Sequence, residues 1–166
     1  SEVINNKMLP FLQSIDNEPY EVLYVTGKNY YENYSKNKFS KNVKIVPYVE
    51  NLSSLLKDID LIITRAGAST IAEITSLGLP AILIPSPYVA NNHQYYNALS
   101  LKNANASELI EQKDLNEKTL KETINKILNN KNTYETYHNN LIKLSIPNSS
   151  TIIYESIKKL INEKES

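Results

Sequence analysis

The apolar positions of this chain switch between two periods, and the switches mark its elements. Four short runs rich in β-branched residues are Val22-Leu23-Tyr24-Val25, Val43-Lys44-Ile45-Val46, Leu61-Ile62-Ile63 and Ala81-Ile82-Leu83-Ile84. Runs that are apolar on both faces predict strands of a parallel sheet covered by helices on each side. Between them, apolar residues recur at helical spacing. Leu52, Leu55, Leu56 and Ile59 stand at i, i+3, i+4 and i+7 behind Asn51, a good N-cap. Ile71, Ile74 and Leu77 form the next stripe, which Gly78 and Pro80 stop. A helix around 94–102 precedes a short strand near 106–110. Beyond Lys113 only helical spacing remains: Leu120, Ile124, Ile127 and Leu128, then, after Pro147, Ile153, Ile157, Leu160 and Ile161. The charged tail 162–166 is expected to fray.

Repeated β-α units predict an α/β fold: one domain over 1–166, a right-handed, doubly wound parallel sheet with a helical C-terminal end. Ligands of such sheets bind beyond the carboxyl ends of the strands. Those ends are 26–27, 47–51, 64–70 and 85–97. The most informative of them opens the stretch TRAGASTIAEITSLGLP at 64–80. There a Gly-centred turn joins a strand to a helix, and Gly67 is expected to supply backbone angles and a close approach open to no other residue. The helix start offers unpaired amides and a partial positive charge, which suits an anion such as a phosphate.

Composition narrows the classes. A chain of 166 residues buries a core without staples, and the lack of Cys excludes disulfides and thiolate metal sites. Eighteen basic residues balance eighteen acidic ones, so no global positive field recruits nucleic acid. No apolar run approaches the roughly 20 residues of a membrane span, and the first residues do not read as a signal peptide. These features fit a soluble, intracellular protein.

Several familiar chemistries find no support. There is no GxGxxG, the three glycines being scattered at 27, 67 and 78, and no GxxxxGK[ST]. Asp58 and Asp60 spell DxD, but they precede a strand and so cannot reach a metal diphosphate beyond its end; no metal role is assigned. Two histidines without a Ser-His-Asp context give covalent hydrolysis little support. Glu73 has two open readings. In a capping box, Thr70-Ile71-Ala72-Glu73, it reaches back to the Thr70 amide. If the helix starts near Ala68 instead, it points into the crevice and accepts from ribose hydroxyls. Arg65 is a phosphate partner or, as is commoner for Arg at a strand end, a structural residue. The polar segment 85–98 suits sugar hydroxyls, against the plainer alternative of a helix capped by Asn91 or Asn92. His93 alone reads as a surface residue.

Three motifs in order carry a resemblance: R-A-G-A-S-T-I-A-E at 65–73, G-L-P-A-I-L-I-P at 78–85 and N-N-H-Q-Y-Y-N-A at 91–98. They resemble the donor-binding C-terminal domain of the MurG family, the peptidoglycan N-acetylglucosaminyltransferases of the two-domain GT-B class. Y-E-V-L-Y-V-T-G at 20–27 and I-V-P-Y-V-E-N-L at 45–52 extend the likeness along most of the chain. The resemblance implies a Rossmann-like half of a GT-B glycosyltransferase. The family transfers N-acetylglucosamine from UDP-N-acetylglucosamine to undecaprenyl-pyrophosphoryl-muramoyl-pentapeptide, with inversion, without a cofactor and without an essential metal at the diphosphate. It implies that the Val49 backbone reads uracil with Leu52 packing nearby, and that Ala68, Ser69 and Thr70 meet the phosphates. Glu73 would hold the ribose hydroxyls, and Gln94 and Asn97, with His93 beside them, the sugar.

By the same resemblance, the chain opens just past a Gly-rich phosphate loop and lacks the N-terminal acceptor domain. The catalytic base and the membrane-facing patch would belong to that domain. The full enzyme would lie peripherally on the cytoplasmic face of the cell membrane, and this part would bind donor without turnover. The alternatives are a free-standing donor subunit of a split UDP-sugar transferase and a non-catalytic nucleotide-binding module.

Overall fold

A computed structural model describes residues 2–145. The stripe expected over 153–161 and the tail 162–166 lie outside the described residues. The elements in order are α1 (Glu2–Gln13), β1 (Val22–Val25), α2 (Lys28–Tyr34), β2 (Val43–Val46), α3 (Leu52–Leu55), β3 (Ile62–Thr64) and α4 (Ala68–Leu77). They are followed by β4 (Ala81–Leu83), a 3-10 turn (Ala90–Asn92), α5 (His93–Asn103), β5 (Glu108–Leu109), α6 (Glu117–Leu128) and α7 (Lys131–Leu144). All described strand pairs are parallel, as the β-α repeat predicts.

β4 shows why its sequence is apolar throughout. Its side chains alternate between two cores. Ile82 and the following Ile84 join Met8, Phe11 and Leu12 of α1 and Leu120, Ile124 and Ile127 of α6. Ala81 and Leu83 join Ile74 of α4, Ala98 and Leu101 of α5, and Leu141 of α7. The sheet is therefore wound on both faces.

The strand ladder corrects the expectation of one continuous sheet. It divides into a two-stranded sheet, β1-β2, and a three-stranded sheet, β3-β4-β5. The two share side-chain packing, since Val22, Tyr24 and Val43 lie against the same cluster as Ile63 and Ile82. The expectation of burial on both faces also fails for β1. Val22 and Tyr24 point inward, whereas Leu23 and Val25 are 38% and 43% exposed.

Helix ends follow local chemistry. Asn116 and Asn130 accept from the amides of Thr119 and Thr133 to cap α6 and α7. Gly78 ends α4 in the left-handed conformation, φ 61°, and Leu79 N bonds back to Ile74 O at 3.0 Å. α3 is shorter than its stripe predicts. Asn51 caps it as expected, accepting from Ser54 N at 3.0 Å, but it lasts one turn. Leu56 buries, and Leu52 stays 45% exposed.

Candidate functional site

The carboxyl ends of the strands are where the topology leads one to expect a ligand crevice. At the centre, Ala66 is buried and Gly67 precedes α4. Gly67 has φ −70° and ψ 150°, and a Cβ there would meet nothing nearer than Thr70 Oγ1 at 4.0 Å. This corrects the expected need for special backbone angles: any L-residue adopts that conformation. What glycine contributes is an uncovered helix mouth. The first amide to bond back along α4 is Ile71 N, to Gly67 O at 2.9 Å, and no side chain caps the helix. The amides of Ala68, Ser69 and Thr70 are thus the orphan donors of the helix start, and Ala68 and Ser69 are exposed.

With α4 starting at Ala68, Thr70 is the third helical residue and cannot serve as an N-cap. The capping-box reading of Glu73 therefore fails. Among the described residues no hydrogen bond or ion pair engages its carboxylate, which is half-buried one turn into the helix. A carboxylate in that place can accept from ligand hydroxyls.

At one end of the crevice lie Val49, half-buried, and Leu52, exposed, in the connection after β2. Leu56, just beyond α3, buries in the same cluster as Ala66 and Ile74 and so anchors this connection to the β3-α4 unit. At the other end, the segment before α5 is held by side chains. Gln94 Oε1 accepts from Ser86 N at 2.9 Å, and Asn97 Nδ2 donates to Ala66 O at 3.0 Å. Asn97 thereby ties α5 to the central turn. His93 is exposed and its Nδ1 lies 2.9 Å from Ala90 O. Asn92 occupies the N-cap position of α5 with φ 52°, yet its side chain makes no capping bond. Asn91 is left-handed too, a conformation that Asn tolerates better than other non-glycine residues.

The Arg65 guanidinium, the candidate phosphate partner or structural residue, is engaged by protein acceptors. Its Nη1 donates to Ile84 O at 3.1 Å and Pro85 O at 3.0 Å, and its Nη2 to Gln112 Oε1 at 2.7 Å. Burial pushes its pKa below the usual value, with the nearby Tyr88 phenol acting in the opposite sense. A guanidinium remains charged there. Nothing in the sequence marks Gln112, which stands three residues past a two-residue strand.

The family model of the glycosyltransferase family 28 C-terminal domain matches residues 1–151. The chain belongs to this family. Among curated relatives, it is 38% identical over 164 residues to a protein of Bacillus cytotoxicus. That protein is the UDP-N-acetylglucosamine–N-acetylmuramyl-(pentapeptide) pyrophosphoryl-undecaprenol N-acetylglucosamine transferase. It is 35% identical to the transferase of the same name from Pediococcus pentosaceus. Each alignment covers 96% of this chain and 45% of the relative, so the chain spans about half the length of the curated relatives it matches. MurG of Acinetobacter baumannii superposes with a TM-score of 0.83 at 23% identity, over 96% of this chain and 46% of that one. The glycosyltransferase VinC, solved in complex with dTDP, gives 0.67 at 17% identity, over 92% and 36%. At those identities the structural likenesses speak for the fold alone, that of a GT-B glycosyltransferase C-terminal domain, as expected from the resemblance.

Proposed function

We propose that this chain is the donor-binding half of an inverting hexosyltransferase of peptidoglycan synthesis. It would present UDP-N-acetylglucosamine for transfer to undecaprenyl-pyrophosphoryl-MurNAc-pentapeptide. The observation that carries the proposal is the uncapped start of α4 beside a carboxylate that no group among the described residues engages. The names of the curated relatives supply the donor and acceptor.

In this reading the Val49 backbone meets the uracil edge, with Leu52 over it. The amides of Ala68, Ser69 and Thr70 receive the diphosphate. Glu73 accepts from the ribose hydroxyls, and Gln94, Asn97 and His93 face the sugar. When the acceptor hydroxyl attacks the anomeric carbon from the opposite side, the bond to UDP breaks and negative charge grows on the β-phosphate. Fixed amides and the positive end of α4 stabilise that charge, and they do so more in the transition state than in the bound donor. The general base and the acceptor contacts fall to the part of the relatives' length that this chain does not span, at the cytoplasmic face of the membrane. Among the described residues, no helix is long and apolar enough to cross a membrane.

Titration calorimetry tests the reading. UDP should bind at least about tenfold more tightly than ADP, a difference of ~1.4 kcal/mol. Equal affinities would overturn it and leave a nucleotide-binding module without base preference. EDTA should leave the UDP affinity unchanged.

A further inference from the structure

A line of hydrogen bonds runs across the carboxyl ends of three adjacent strands, β3, β4 and β5. Gln112, 9% exposed and three residues past β5, holds Arg65 Nη2 through its Oε1 at 2.7 Å. Arg65 follows β3 directly, and its Nη1 reaches the carbonyls of Ile84 and Pro85, where the chain leaves β4, at 3.1 and 3.0 Å. The next amide along the chain, Ser86 N, is the donor that Gln94 Oε1 accepts at 2.9 Å. One connected path thus links a buried amide beyond β5 to the side chain of Gln94.

The chemistry of the path decides which face Gln94 shows. Its carbonyl oxygen is engaged by Ser86, which leaves the amide NH2, a group that only donates, for a ligand. That is the complement of sugar hydroxyl or acetamide oxygens. The orientation depends on where Ser86 N sits, and Ser86 N sits where the two preceding carbonyls are held. A guanidinium with a fixed planar fork can grip two successive carbonyls at once, which an ammonium group does less well. Gln112 keeps that fork from rotating away.

We infer that Arg65 and Gln112 are positioning residues for the sugar end of the crevice: they fix the exit of β4 and thereby the orientation of Gln94. The inference rests on the donor-binding reading above for its ligand, but not for its geometry.

The test uses Gln112→Met and Arg65→Lys in this chain, with two readouts. In the absence of ligand, hydrogen exchange of the Ser86 amide, followed by NMR, should quicken at least about fivefold in both variants. Unchanged Ser86 exchange overturns the inference. In calorimetry, affinity for UDP-N-acetylglucosamine should fall about five- to tenfold while affinity for UDP stays within about twofold, the scale of one lost neutral hydrogen bond. Equal weakening of both ligands by Arg65→Lys, with no effect of Gln112→Met, would instead make Arg65 a direct phosphate ligand and overturn the positioning role. Equal weakening by both variants together with a lowered melting temperature would assign them to general stability. If the unaltered chain binds no UDP, the donor reading fails, and Ser86 exchange still decides whether the path holds Gln94.

Discussion

At the scale of single residues, the helix start at Ala68 decides what Glu73 can do. A capping glutamate is spent on its own backbone, whereas this one is not. Glu73→Ala should therefore weaken UDP by ~1–3 kcal/mol, the range for hydrogen bonds to a charged group. Its melting temperature should be unchanged or slightly raised, because Ala is the better helix former. Unaltered UDP affinity would overturn the ribose-binding role of Glu73. The two readings were level in the sequence because T-x-x-E and a start at Ala68 use the same residues, and only the backbone distinguishes them. Gly67 illustrates the opposite case. Its identity pointed to the right turn for a reason the backbone does not bear out, since its angles are ordinary and the open space above the amides is what the missing side chain leaves.

Elements were legible where one physical signal dominated. The strands β1 and β2 fall on their predicted runs because β-branched residues with turn signals on either side leave few alternatives. α4 ends at the predicted Gly78 because a left-handed residue was needed there. A Cβ at Gly78 would lie 2.7 Å from His138 Nδ1 and 2.8 Å from Ile142 Cγ1 of α7. Gly78→Ala should therefore cost ~1–3 kcal/mol by thermal or denaturant unfolding, combining the left-handed penalty with crowding. Adding His138→Ala should recover only part of the loss, and complete recovery would show that the backbone conformation contributes nothing. Helix α1 was not legible. Its buried stripe is Asn5, Met8, Phe11 and Leu12, with a polar residue at a core position and Pro10 inside the helix. Asn5 is accommodated because its side chain donates to Thr26 O and accepts from Tyr24 Oη. α7 escaped notice for a similar reason, since Tyr134 and Tyr137 carry part of its inner face. Tyr137 reaches Glu108, which Lys126 also engages, a polar knot between β5, α6 and α7 that no apolar periodicity announces.

For the molecule as a whole, the doubly wound architecture follows from the β-α repeat, and the division of the ladder does not, because strand pairing across chain-distant elements leaves no local mark. That division has a mechanical meaning. No described backbone ladder joins β1-β2 to β3-β4-β5, and the two are linked instead by shared side-chain packing and by α1, whose Asn5 bonds to β1 and whose Lys7 bonds to the segment after β5. The smaller piece is also the wetter one, with Leu23 and Val25 turned outward. Hydrogen exchange of the β1-β2 amides should therefore report an opening free energy below that of β4, as expected for separate cooperative units. Identical values would show that these links fuse the two. The residues assigned to the base of the nucleotide follow β2, while those assigned to its phosphates and sugar follow β3 and β4. A bound donor would then act as a rivet between the two pieces, and its affinity would be read as added protection of the β1-β2 amides.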